Sequence, residues 1–490
     1  MALTNSDSLR FFAPELLLTA GAVVVFLADL LLSKAKRRPL ILTSLAVLFA
    51  VGAVLLTIHA SANAPQSLFG GLLAFDGWAV AFKLLCFTAT AFALLMATPG
   101  PELPKERTGD YAAILLALSV GMSLMASAND LLMVSLGVEL VSLLSYGLAG
   151  FKKGARRSAE AALKYVVYGG VASGVMLFGM SYLYGLSGTT SLGGIHAALT
   201  GDLGRAGSLA LLTALVLVLA GVGFKVAAVP WHMWAPDVYE GAPTPFTAFL
   251  SVGPKAAGFA LAIRLFSALF GGSNLPWAEV LGVIAAATMT VGNLAALNQT
   301  SVKRMLAWSS VAHAGYLLLG VCAGTAAGHS AVLFYLVVYL FMNLGAFLVV
   351  DAVARRGGGE RLADYKGLSS RAPAVALSFA IFLFSLTGLP PLAGFVGKFQ
   401  LFKALIDRGG GFFVGLAVIA VLNSAVSLYY YARIARAMYL DSSTDGERIT
   451  LPATYPFLLG IFAGAVVVLG VAFDGLRGAT DAAARALGAY

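Results

Sequence analysis

Apolar residues in this chain come in runs of about 20, each closed by a short polar stretch. A helix rises 1.5 Å per residue, so a run of that length crosses the ~30 Å hydrocarbon core of a bilayer. The pattern predicts spans near 12–32, 40–59, 76–97, 111–128, 131–150, 160–184, 207–229, 246–269, 277–298, 302–323, 330–353, 375–404, 411–437 and 456–474. The expected fold is therefore an all-α integral membrane protein of about 14 transmembrane helices.

Composition agrees with that reading. Of the 490 residues, 59% are hydrophobic and 11% charged, against roughly 25% charged in a soluble domain. The N-terminal MALTNSDSLRFFAPELLL has one arginine ahead of its apolar run and no small-residue cleavage site, so it reads as a retained first span. The cysteines, Cys86 and Cys322, sit alone in apolar runs and suit neither a disulfide framework nor a metal cluster.

The net charge of +9 is distributed by loop. Loops after odd-numbered spans hold Lys34, Lys36, Arg37, Arg38, Lys105, Arg107, Lys152, Lys153, Arg156, Arg157, Lys303, Arg304, Arg355, Arg356, Arg361, Lys366, Arg371, Arg433, Arg436 and Arg448. Loops after even-numbered spans hold Arg205 and Arg408, with Lys403 nearby. Basic residues collect on the cytoplasmic side, so the odd loops are expected there and both termini outside. The excess of positive charge orients the chain in a lipid bilayer and is no sign of nucleic acid.

Several charges fall inside the spans, where they are costly and mark function by default. Glu139 lies mid-span in LLMVSLGVELVSLLSYGLAGF. Lys164 lies a few residues into span six, within snorkelling reach of the interface. Lys225 precedes Pro230, and Lys255 follows Pro254. Lys398 follows the double proline Pro390–Pro391. Proline frees a backbone carbonyl, tolerated at membrane depth where protein or a water-filled cavity satisfies it. Helix breaks are therefore expected at Pro230, Pro254, Pro390 and Pro391, with a helix resuming after Pro230 and running to about Tyr239. His313, deep in span ten, is a proton-relay or packing residue. Lys83, Asp29, Asp76, Glu160, Asp351 and Arg264 lie nearer span ends, where snorkelling or helix-end effects account for them.

Spans four to eight and nine to thirteen read as two five-helix units. Five is odd, so the second enters the membrane inverted, a recurrent transporter plan with the ion site near the midplane. The expected division is 1–110 for helices one to three, 111–270 and 277–440 for the inverted units, and 441–490 for helix fourteen and a short tail. The fourth helix of each unit carries a break and a lysine. A lysine-rich path suits protons, which an amine carries covalently, better than sodium, which needs oxygen ligands.

No dinucleotide fingerprint, P-loop or iron–sulfur cysteine spacing occurs. The chain is expected to bind no cofactor and to draw energy from a gradient or a partner.

The stretches VSLGVELVSLLSYGLAGF, FKVAAVPWHMWAPDVYEGAPTPFTAFLSVGPKAAGFA, SVKRMLAWSSVAHAGYLLLG and FSLTGLPPLAGFVGKF together span about 134 to 400. On these motifs the chain resembles the antiporter-like membrane subunits of respiratory complex I (NADH:quinone oxidoreductase), and among them the N chains. The resemblance implies a proton-translocating subunit in a bacterial inner membrane, partnered by antiporter-like chains M and L and small chains J and K. It also implies NADH, FMN, iron–sulfur clusters and quinone on other subunits. Residue by residue, Glu139 and Lys164 match the family's charged pair and Lys225 the lysine of the first broken helix. Lys255 matches the central connecting lysine, and Lys398 the lysine of the second broken helix. The rival expectations are an Mrp-type cation/proton antiporter subunit and a passive scaffold whose buried charges set helix packing.

Overall fold

The computed structural model describes residues 3–32, 38–97, 102–200, 209–271, 275–355, 358–442 and 448–488. Of the residues used above to orient the chain, Lys34, Lys36, Arg37, Arg205 and Arg356 lie outside them.

Long apolar helices follow one another with short connections, as the run lengths require. The short α1 (Asn5–Phe11) leads into α2 (Ala13–Leu31) and α3 (Arg38–Ser61). A small hairpin of β1 (Gln66–Leu68) and β2 (Leu73–Phe75) precedes α4 (Gly77–Ala97). Next come α5 (Thr108–Ser127), α6 (Leu131–Ala149), α7 (Arg156–Ser187), the short α8 (Leu192–Thr200) and α9 (Leu209–Val226). After a break, α10 (Ala235–Gly241) leads to α11 (Thr244–Phe270), α12 (Trp277–Leu297), α13 (Val302–Ala323) and α14 (Ala326–Ala354). The chain continues through α15 (Pro373–Thr387), α16 (Ala393–Arg408), α17 (Gly411–Tyr439), α18 (Thr454–Val471) and α19 (Asp474–Arg485).

Among the described residues, 13 helices are long and apolar enough to cross a membrane. The remaining expected span, 375–404, is the pair α15 and α16, of 15 and 16 residues, parted at the double proline. Neither half crosses a bilayer alone.

Two layers are evident from burial. Helices α11, α13 and α14 are buried on nearly every side, as an all-round apolar helix must be inside protein. Helices α2, α3, α7 and α17 present leucine, valine and phenylalanine outward, among them Leu31, Leu48, Val171 and Leu422. With lipid as solvent, such exposure carries no penalty.

Basic loops meet on one face. Arg157 pairs with Glu360 at 3.0 Å, Lys152 with Glu102 at 2.9 Å, and Ser301 forms a β-bridge with Arg361. On the opposite face Asp130 accepts from the Thr190 hydroxyl, and Asp76 accepts from the Gly488 amide.

One expected break is absent. Pro254 lies inside α11, which runs without interruption from Thr244 to Phe270. A lone proline removes one backbone hydrogen bond and crowds one carbonyl. Here every residue of the flanking turns is buried against neighbouring helices, and that packing holds the helix together. The segments at Pro230 and Pro390–Pro391 do break.

Candidate functional site

Both breaks close with the same cap. At the end of α9, Ala227 adopts φ +61°, its amide donates to the Phe224 carbonyl, and the Ala228 amide donates to the Gly223 carbonyl. At the end of α15, Gly388 adopts φ +92°, its amide donates to the Ser385 carbonyl, and the Leu389 amide donates to the Phe384 carbonyl. This is the Schellman pattern, which uses a left-handed residue to satisfy the last carbonyls of a helix. Glycine adopts that conformation freely, whereas Ala227 holds it at a cost of about 1 kcal/mol or more.

A lysine stands at each cap. Lys225 belongs to the last turn of α9 and is buried. Its stem packs on Gly258 of α11, where an added Cβ would lie 3.2 Å from the lysine Cγ. Its ammonium donates to Ser142 Oγ at 2.8 Å and to the Val138 carbonyl at 3.4 Å, both on α6. Lys398, also buried, lies on α16 and reaches back across the second break. It donates to the Thr387 carbonyl and to Ser424 Oγ, each at 2.9 Å, and sits 4.5 Å from the centre of the Tyr316 ring. The Thr387 carbonyl is at the C-terminal end of α15, the negative end of a helix dipole and a natural seat for a cation.

Lys255 occupies the middle of α11 and donates to the Ser310 carbonyl at 2.6 Å and to the Ser310 hydroxyl. That hydroxyl also accepts from Tyr339 at 3.0 Å and lies 3.4 Å from the Tyr239 hydroxyl. One turn further along α13, His313 has Nδ1 at 2.7 Å from the Tyr335 hydroxyl and Nε2 at 3.3 Å from the Tyr431 hydroxyl. A further turn brings Tyr316, under Lys398. Thus Ser310, His313 and Tyr316, spaced by three residues on one helix face, bridge the surroundings of Lys255 and Lys398.

The three ammoniums of Lys225, Lys255 and Lys398 are held by hydroxyls and carbonyls, with no ion pair to a carboxylate among the described residues.

The Glu139–Lys164 pairing takes a different form from the one expected. Lys164 joins Asp237 at 2.6 Å and Glu160 at 2.7 Å, and among the described residues no ion pair links it to Glu139. Asp237 in turn accepts from Arg304 at 2.8 Å, and Arg304 also reaches Glu240 at 2.8 Å. The reason is geometric. Helix α10, resuming after the first break, packs against α7 and brings Asp237 to Lys164. Glu139 lies half-buried on α6, three residues before Ser142, which holds the Lys225 ammonium.

The residues near span ends also differ from expectation. Lys83 does not snorkel: it is 1% exposed and pairs at 2.7 Å with Glu15, itself fully buried. Glu15 also accepts from the Ser123 hydroxyl. Arg264, 3% exposed, holds Asp76 through two bonds of 2.9 and 2.8 Å. Sequence reasoning missed Glu15, Asp237, Arg304 and Ser310 as partners. A signal existed for Asp237, which follows Pro236 in the first turn of α10 and so marks a helix start.

The family described as NADH:quinone oxidoreductase/Mrp antiporter, TM, matches residues 128–423, which hold both breaks and Lys164, Lys225, Lys255 and Lys398. An Anaeromyxobacter sp. (strain Fw109-5) protein named NADH-quinone oxidoreductase subunit N is 53% identical, over 95% of each chain. A chain of respiratory complex I from Thermus thermophilus superimposes with a TM-score of 0.80 at 31% identity, covering 95% of this chain and 99% of that one. A chain of the Mrp complex from Dietzia sp. DQ12-45-1b shares the fold, with a TM-score of 0.83 at 22% identity over 97% and 98% of the two chains. With 53% identity along nearly its whole length, the chain belongs to the NADH:quinone oxidoreductase/Mrp antiporter membrane family, and within it to NADH-quinone oxidoreductase subunit N.

Proposed function

We propose that this protein is the proton-translocating membrane-arm subunit through which a NADH:quinone oxidoreductase moves protons while other subunits pass electrons from NADH, through FMN and iron–sulfur clusters, to quinone. Its partners are the antiporter-like chains M and L and the small chains J and K. The protein sits in the bacterial inner membrane with its basic loops in the cytoplasm and both termini outside. Residues 111–270 and 277–440 act as inverted halves, each with one broken helix.

The observation that carries this reading is the set of buried lysines on hydroxyl and carbonyl acceptors, two of which, Lys255 and Lys398, are bridged by Ser310, His313 and Tyr316. A proton taken up from the basic-loop face is held on Lys225 or Lys255. It passes along Ser310, His313 and Tyr316 to Lys398 and leaves on the opposite face. Proton transfer between such groups needs hydrogen-bond reach directly or through one water, a reach that the Lys255–Ser310 and His313–Tyr431 contacts provide. The state of the Glu139–Lys164 pair governs when Lys225 holds its proton: a swing of Lys164 toward Glu139 releases it.

The test is Lys225→Ala in the assembled complex, with NADH-driven proton pumping measured in inverted vesicles. Loss of most coupled turnover with intact assembly is the expected result; wild-type pumping would sink the assignment. The Mrp antiporter reading draws on the shared fold. Sodium-dependent proton exchange without NADH would favour it.

A further inference from the structure

Helix α12 presents Val283 and Leu294 outward, yet Asn293 on its inner side is fully buried. An asparagine amide carries N–H donors and a carbonyl acceptor, and a polar atom left unpaired in an apolar bundle costs about 1–3 kcal/mol. Here both ends are engaged. Asn293 Nδ2 lies 3.1 Å from the Asn423 backbone carbonyl, 3.1 Å from Asn423 Oδ1 and 3.3 Å from the Tyr316 hydroxyl. Asn293 Oδ1 accepts from the Tyr430 hydroxyl at 3.0 Å. A backbone carbonyl can only accept, so the atom that faces Asn423 is the nitrogen, and Tyr316 accepts from that same nitrogen. Helices α12, α13 and α17 thus meet on one side chain.

Both partners of that nitrogen lead to Lys398. The Tyr316 ring lies under its ammonium, 4.5 Å from nitrogen to ring centre. Asn423 directly precedes Ser424, whose hydroxyl accepts from the ammonium at 2.9 Å and donates to the Thr387 carbonyl at 2.8 Å. Of the three groups that hold Lys398, the Thr387 carbonyl belongs to the second break. The other two trace back to Asn293. A ring attracts a cation only when the charge sits over its face, within about 6 Å of the centre. Helix α13 anchors the root of the Tyr316 side chain, and the Asn293 amide anchors its far end.

Interhelical hydrogen bonds also serve as plain packing glue in membrane proteins. A separate bond fills that role here. Asn423 Nδ2 donates to Thr290 Oγ1 at 3.3 Å, which joins α12 to α17 without involving Tyr316 or Ser424. Glue and positioning can therefore be told apart by substitution.

We propose that Asn293 is a positioning residue for Lys398: it keeps the Tyr316 ring beneath the ammonium and, through Asn423, the Ser424 hydroxyl beside it. Asn293 carries no proton in this scheme. It fixes where the lysine's nitrogen stands when a proton arrives or leaves. This rests on Lys398 as a proton carrier, the reading proposed above.

The test uses the assembled complex in inverted vesicles, with NADH-driven acidification normalised to bound FMN so that only turnover is read. Asn293→Leu, of similar size, is expected to turn over about tenfold more slowly at unchanged KM for NADH; a misplacement of about 1 Å can cost up to a hundredfold. Thr290→Val removes the glue alone and is expected to keep the wild-type turnover per FMN. Tyr316→Phe keeps the ring and removes the hydroxyl that Asn293 holds. Joined to it, Asn293→Leu should cost less than the product of the two single losses, because the two residues share one contact. If Asn293→Leu fails to assemble, Asn293→Ser decides: its hydroxyl can bond the carbonyl one turn back and stops one bond short of the reach needed for Tyr316. Wild-type turnover in the Asn293 variant alongside a pumping-dead Lys398→Ala would overturn the proposal and leave Lys398 its role. Equal slowing by Thr290→Val, or a full product of losses with Tyr316→Phe, would also overturn it. Wild-type pumping by Lys398→Ala would instead bring down the reading on which it rests.

Discussion

Lys164 of α7 and Asp237 of α10 meet at 2.6 Å, so the charge on one membrane helix is tied to the half-helix that resumes after the first break. The same carboxylate holds Arg304 at the head of α13. Asp237 thus links α7, the broken helix and the helix that carries Ser310 and His313. Glu160, one turn before Lys164, offers the ammonium a second carboxylate, and Glu139 lies on α6 three residues before Ser142, which holds Lys225. In the proposed mechanism, the position of Lys164 among these carboxylates sets how far it offsets Glu139 beside Lys225.

Asp237→Asn should therefore free Lys164 to approach Glu139. Coupling within one ion-pair network commonly changes a rate roughly two- to tenfold, and the partial exposure of this pair places the effect toward the lower end. The expected outcome is a slower but still coupled complex. Combining Asp237→Asn with Lys164→Ala should cost no more than Lys164→Ala alone, because the aspartate acts through the lysine. Fully additive losses in NADH-driven pumping would refute that dependence.

A second prediction concerns stability. Lys83 and Glu15 are both buried and bonded at 2.7 Å, and one Glu15 oxygen has no hydrogen-bond partner among the described residues. Removing the ammonium strands a buried carboxylate, a loss of about 3–5 kcal/mol for pairs of this kind. Lys83→Met should lower the thermal midpoint of the detergent-solubilised complex or prevent its assembly. The double change Lys83→Met with Glu15→Leu removes both charges and should recover most of the loss. A double variant as unstable as the single one would mean that the pair has a role beyond neutralising each other.

How far the sequence could be read follows from which constraints are local. The bilayer imposes length and polarity on each span separately, so the run pattern reports the helices well. The breaks at Pro230 and Pro390–Pro391 were legible because proline acts on its own turn. Pro254 looked the same locally, yet α11 continues, because packing around it is decided by helices far away in sequence. The partner of Lys164 was hidden for a related reason. Its choice of Asp237 depends on where α10 docks after the break, a tertiary fact with no periodic signature. Lys83 read as a snorkelling lysine because its depth alone was visible, whereas Glu15 lies on another helix, 68 residues earlier. Positions of the buried charged side chains were thus available, and their pairings were not.

The second break offers a sharper test of how tightly the site is built. Gly394, in the first turn of α16, donates its amide to Ser385 Oγ at 3.0 Å. A Cβ added there would fall 1.8 Å from the Ser385 carbonyl oxygen, on the facing end of α15. That atom belongs to the backbone, in the same turn whose Thr387 carbonyl holds the Lys398 ammonium. No side-chain rotation relieves the contact; the two half-helices must separate. Overpacking of this kind costs about 1–3 kcal/mol, and here the displaced turn also carries the lysine's acceptor. Gly394→Ala should therefore assemble less well than the wild type. In the fraction that assembles, proton pumping should fall much as in Lys398→Ala, while both breaks remain in place. Gly394→Ser should do no better, since its Cβ meets the same oxygen. If Gly394→Ala pumps at the wild-type rate, α15 and α16 part without disturbing Lys398, and the ammonium does not depend on the Thr387 carbonyl for its position.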